Sequence, residues 1–73
     1  MPTTILRQII VHILNNHNNH WMSCPELVDY IRNNMGFYVT YAQVYYAINS
    51  VIHLCIFERD YIDARHIRYR LYQ

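Results

Sequence analysis

Thr40-Tyr41-Ala42-Gln43-Val44-Tyr45-Tyr46-Ala47-Ile48 reads as the opening of a helix. The Thr hydroxyl can accept from a backbone N–H of the first turn, and Gln three residues on can reach back to the Thr amide. Together they form a capping box. Val44, Ala47, Ile48, Val51 and Ile52 then recur at helical spacing on one apolar stripe. Tyr45, Tyr46, Asn49 and Ser50 fall largely outside it. The helix is expected to run to about His53 or Leu54.

The same signature stands upstream, where Ser23-Cys24-Pro25-Glu26 places Pro in the first turn, where no N–H is missed. That helix should run to about Met35 and bury Leu27, Val28, Ile31 and Met35. Gly36 supplies a left-handed stop, and Phe37-Tyr38-Val39 links the two helices. An earlier helix is expected from about Thr4 to Asn16, with Thr3 or Thr4 as N-cap. Ile5, Leu6, Ile9, Ile10, Ile13 and Leu14 form its wide apolar stripe, with Val11 on the margin. Arg7, Gln8, His12 and Asn15 take the other side. The stripe is wider than one small core needs, which suggests a dimer surface. Asn15-Asn16-His17-Asn18-Asn19 ends the helix, because Asn tolerates left-handed backbone and competes for local hydrogen bonds. His20-Trp21-Met22 can be extended, with Trp21 a core or sheet residue.

Downstream the period changes from helical to alternating. Ile56-Phe57-Glu58-Arg59-Asp60-Tyr61 alternates. So do Ile67, Tyr69 and Leu71 against His66, Arg68, Arg70 and Tyr72. Ile62-Asp63-Ala64-Arg65 joins the two runs, and the whole reads as a β-hairpin. The order is helix, short strand, helix, turn, helix, hairpin.

Length and composition bound this reading. The 73 residues make one domain, residues 1–73. A chain of this size buries only about 60% of its unfolded surface, so it needs a dense core or a partner. Ile, Leu, Val, Met and aromatics supply the core, and with one Gly and two Pro the chain is not a disordered one. All six fixed positive charges are Arg, Lys is absent, and the net charge is +1. Bulk electrostatics therefore announces no polyanionic partner, and any positive field must come from local placement. Two distant cysteines make no disulfide framework. Met1-Pro2-Thr3-Thr4 lacks the basic region of a signal peptide. The apolar run Ile9 to Leu14 is too short for a bilayer. The expectation is a cytoplasmic protein without membrane contact.

The pieces in this order resemble the winged helix-turn-helix family. They are Ser23-Cys24-Pro25-Glu26-Leu27 opening the second helix, Thr40-Tyr41-Ala42-Gln43-Val44-Tyr45-Tyr46-Ala47-Ile48 opening the third, and Ile56-Phe57-Glu58-Arg59 to Ile67-Arg68-Tyr69-Arg70-Leu71 as wing. The resemblance covers nearly the whole chain. It implies an α+β fold with three helices and a small C-terminal β-hairpin wing. It also implies a transcription regulator that binds double-stranded DNA; the small size of the chain and the wide stripe of the first helix add the expectation of a homodimer. The family lays its third helix in the major groove and its wing on the backbone. Carried over, Thr40, Tyr41, Gln43, Tyr45, Tyr46 and Asn49 would face bases or phosphates. Arg65, Arg68 and Arg70, with His66, would hold the backbone. About four phosphate contacts per protomer would give a salt slope near −3.6, doubled in a dimer. Two departures stand out: His53-Leu54-Cys55 replaces the glycine common before the wing, and the third helix carries no Lys or Arg.

A protein-interaction module on the same scaffold is the competing expectation, since fold alone does not fix function. The neutral, Tyr-rich third helix fits it. His17, His20 and Cys24, with His53 or Cys55, faintly resemble metal ligands, but the spacing matches no strong zinc pattern. Loop histidines and buried cysteines account for them, so no metal or cofactor is expected. No nucleophile elbow, phosphate-cradling loop or paired-carboxylate motif points to an enzyme.

Overall fold

In a computed structural model, which describes residues 1–63 and 66–72, the first helix, α1, spans Thr3–Asn16 and buries Leu6, Ile10, Ile13 and Leu14. The buried stripe is narrower than the apolar one. Ile9 and Val11 pack on its margins, and Ile5 is 49% exposed. Neither Thr3 nor Thr4 caps the helix. Pro2 takes the N-cap position, extended and without a side-chain bond. Its carbonyl accepts from Leu6 N at 3.0 Å. The fixed φ of proline suits that half-in position, and it displaces the threonines into the first turn.

Asn18 and Asn19 both take left-handed backbone, φ 57° and 54°, and this turns the chain out of α1. Asn19 then does a second job. Its amide Nδ2 donates to Leu71 O at 2.9 Å and its Oδ1 accepts from Leu71 N at 2.6 Å. The side chain thus pairs with that backbone as a strand residue would. The strand β1, Met22–Ser23, follows.

Helix α2, Cys24–Asn34, starts with the full capping box. Ser23 Oγ accepts from Glu26 N at 3.3 Å, and Glu26 Oε1 accepts from Ser23 N at 3.3 Å. Gly36 ends the helix at φ 72°. Helix α3, Tyr41–Asn49, has its own complete box on Thr40 and Gln43. It stops well short of His53. Asn49 Nδ2 donates to Tyr45 O and Ser50 Oγ to Ala47 O. Side chains that take the last carbonyls let the backbone leave the helix. A 3₁₀ turn, Ile52–Leu54, comes next, and Cys55 adopts φ 56°, ψ 32°. Cys55 thus occupies the left-handed conformation a glycine would favour, because β-carbon crowding penalises it in other residues.

Strand β2, Phe57–Asp63, and strand β3, His66–Leu71, form the hairpin. The sheet is antiparallel in the order β1-β3-β2. Phe57 lies opposite Leu71, Glu58 opposite Arg70, Arg59 opposite Tyr69 and Asp60 opposite Arg68, with an irregularity between Tyr61 and Asp63. Phe57 and Tyr69 are buried against the helices together with Leu27, Ile31, Val44 and Ile48. The architecture of the described residues is α+β: three α-helices on one face of a three-stranded sheet. No helix among them is long and apolar enough to cross a membrane.

Two substitutions test these local arguments. Ser23→Ala should lose about 1 kcal/mol by removing a cap, read as a lower urea midpoint. Cys55→Gly should gain about 0.5–1 kcal/mol by relieving the left-handed strain, net of the extra freedom of the unfolded chain.

Candidate nucleic-acid interface

Helical spacing sorts the outward side chains of α3 into rows. Tyr41, Tyr45 and Asn49 form one, since residues four apart lie above one another. The Tyr41 and Tyr45 rings stack at 6.1 Å and 15°. Tyr41 is 51% exposed, Tyr45 41% and Tyr46, on the next row, 63%. Their hydroxyls are unclaimed polar tips.

The two amides have less to offer. Gln43 Oε1 accepts from Thr40 N at 2.9 Å, while Thr40 Oγ1 accepts from Gln43 N at 3.2 Å. The Gln43 NH₂ group remains free to face a ligand. Asn49 is committed within the fold. Its Nδ2 donates to Tyr45 O at 2.9 Å and to Tyr69 Oη at 3.3 Å. Its Oδ1 accepts from Arg59 Nη1 at 3.4 Å. An amide with both donors used cannot also make a bidentate pair with adenine.

Tyr69 explains that commitment. The residue is wholly buried, and it lines one small pocket together with Cys24. Burial pushes the Tyr69 phenol up to about 12, opposed by the bond to Asn49. Burial likewise pushes the Cys24 thiol up to about 11, opposed by the neighbouring Tyr69 hydroxyl. Beside them, Cys24, Tyr41, His66 and Tyr69 help to line a small pocket of about 60 Å³. Small-molecule sites need roughly 300 Å³ or more. This pocket is a shallow dimple between the start of α2, Tyr41 and β3.

Arg68 and Arg70 stand elsewhere. Alternation along β3 puts them on the sheet face turned away from the helices, opposite in direction to buried Tyr69. Arg68 pairs with Asp60. Arg70 Nη2 donates to Glu58 Oε1 at 3.2 Å, and its Nε lies 3.1 Å from Oε2. The second contact is an ion pair without hydrogen-bond alignment. Both guanidinium groups lie over the Trp21 indole, at 5.6 and 4.3 Å from the ring centre. Trp21 lies just before β1, outside the strand and the core, and packs under the outer sheet face against these two guanidinium groups. Each pair stands directly opposite across the β2–β3 ladder, so the face neutralises itself. Half-exposed pairs of this kind each contribute less than about 1 kcal/mol. His66 closes the hairpin end on Asp63, with Nδ1 2.8 Å from Oδ2. Arg65 lies outside the described residues.

The structure thus brings Thr40, Tyr41, Gln43, Tyr45, Tyr46 and Asn49 together and keeps Arg68 and Arg70 on another face. It also adds Arg59, which the sequence reading passed over. Arg59 faces the α3 side of β2, in phase with Phe57 and opposite Tyr69. The signal was available: if Phe57 points to the core, Arg59 shares its side. The acidic neighbours Glu58 and Asp60 obscured it. Among the described residues, no three His, Cys, Asp or Glu side chains gather where a metal could bind. No protein-family model, curated protein or solved structure matches the chain.

The two thiols should separate cleanly. Cys55 is exposed and Cys24 buried, and a thiol raised to about 11 stays protonated at pH ~8, where only the thiolate reacts. Ellman's reagent should label one thiol of the native protein quickly and the second only after unfolding. Rapid labelling of both would show that the α2–β3 junction opens readily.

Proposed function

We propose that this chain is a winged helix-turn-helix module that docks on double-stranded DNA through α3 and works as a pair of copies. One observation carries the proposal. The outward face of α3 offers Tyr41, Gln43, Tyr45 and Tyr46 with polar tips and large exposure, and α2 packs behind it. The helix-strand-helix-turn-helix-hairpin order supports the fold assignment, as does the return of β3 beside β1. A helix fits the major groove, and Tyr hydroxyls and amide N–H groups reach phosphates and base edges. With Asn49 committed to the fold, sequence is read by Gln43 and by groove shape more than by paired amides.

A specific observation favours a second reading, a protein partner on the same face. Arg68 and Arg70 are neutralised by Asp60 and Glu58, and tyrosines are enriched in protein interfaces.

Fluorescence anisotropy of labelled duplex DNA, at low and at physiological salt, decides between them. Binding that weakens with salt is expected. Tyr45→Ala with Tyr46→Ala should weaken it about tenfold, equivalent to about 1.4 kcal/mol, without loss of helical circular dichroism. Absence of binding at low salt would overturn the DNA reading and send the search to a protein partner by pull-down.

A further inference from the structure

We infer that among the described arginines Arg59, and neither Arg68 nor Arg70, is the one through which the α3 face contacts the DNA phosphate backbone. The inference rests on the DNA reading above and assigns its electrostatic contact.

The placement of the five described arginines leads to it. Arg68 and Arg70 are paired with carboxylates on the outer sheet face. Arg32 donates through Nε to Val39 O at 2.8 Å, and its guanidinium lies 4.9 Å over Tyr38 near the end of α2. Arg7 belongs to α1. Arg59 is exposed and stands at the C-terminal end of the Tyr41–Tyr45–Asn49 row. The contacts that hold it are neutral: Asn49 Oδ1 at 3.4 Å and the Tyr61 ring at 5.4 Å. A guanidinium has five N–H donors in a planar fork, so one bond to Asn49 leaves a bidentate edge for a phosphate.

Its orientation is set in advance. The Asn49 NH₂ is bound by Tyr45 O and Tyr69 Oη, which turns Oδ1 toward Arg59. Tyr69 itself is wholly buried on the core side of β3. The cation is thus aimed through a chain of bonds that starts in the interior, and an aimed side chain loses less entropy on binding. Its position also answers a specific need. The C-terminal end of α3 carries partial negative charge that repels phosphate, and Arg59 reverses the sign there.

The test is the salt dependence of duplex DNA binding by the full chain, for the wild type, Arg59→Ala, Arg59→Lys, and Glu58→Ala with Arg70→Ala. Removing one phosphate contact lowers the slope of log affinity against log salt by about 0.9 per protomer. Arg59→Ala should show that drop and about tenfold weaker binding at low salt. Arg59→Lys should recover the slope. The Glu58/Arg70 double variant should keep the wild-type slope. Wild-type binding with an unchanged slope in Arg59→Ala would overturn the assignment and leave the DNA reading standing. A purely structural role for Arg59 gives that result, with lower thermal stability and the same slope. No wild-type binding to DNA, with Arg59-dependent binding to poly-glutamate, would overturn both and put a carboxylate-bearing protein at Arg59.

Discussion

The hydroxyl of Tyr69 has to be satisfied in a place that water does not reach. Tyr69 sits on the central strand, wholly buried. A buried hydroxyl without a partner would cost about 1–3 kcal/mol, a large share of what so small a domain has to spare. Asn49 meets the need, donating to it through Nδ2 at 3.3 Å, and much of the molecule follows from that. Asn49 must end α3 at a fixed height over the sheet. Once both its donors are taken, its carbonyl can face only outward, toward β2. Arg59 is the residue there, one pair across from Tyr69 itself. A demand from the core thus settles which way Asn49 and Arg59 face at the surface.

The hairpin sorts charge by the same alternation that buries Tyr69. Glu58, Asp60, Arg68 and Arg70 fall on the outer face and cancel across the ladder, with Trp21 under both guanidinium groups. Arg59, out of phase with them, joins the helical side. β2 is an edge strand, and three consecutive charged residues along it discourage pairing with a second sheet. One short strand therefore guards its own edge, balances the outer face and leaves one cation beside α3.

These features were unequally legible in the sequence. The starts of α2 and α3 were plain, because a capping box is a contract between residues three apart. Gly36 was equally plain. The start of α1 was misplaced, since Thr3 and Thr4 could cap and only the geometry of Pro2 decides otherwise. The end of α3 was drawn too late: Val51 and Ile52 continue the apolar period, and the carbonyl bonds of Asn49 and Ser50 override it. The α3 face was legible because exposure on a helix follows from spacing. The arginines were not, because which carboxylate faces which guanidinium depends on strand register. That register is fixed far away, in part by Asn19 holding Leu71 across 52 residues.

Few of the described residues put a free cation on the α3 side, and this has a consequence for how such a face can bind. Affinity for DNA that rests on phosphates alone rises with each neutralised charge, and one aimed guanidinium gives little by itself. Tyrosine compensates in a different way. It carries large contact area on only two rotatable bonds, so it orders cheaply, and Tyr41 and Tyr45 already hold each other stacked. A surface built this way gains from shape and contact more than from long-range attraction. It would associate without strong steering and depend weakly on salt, and two copies on one duplex would multiply affinity by effective concentration without any new contact. On the proposed reading the neutral helix and the near-zero net charge are parts of one design, in which contact area would hold the partner and Arg59 would set its register.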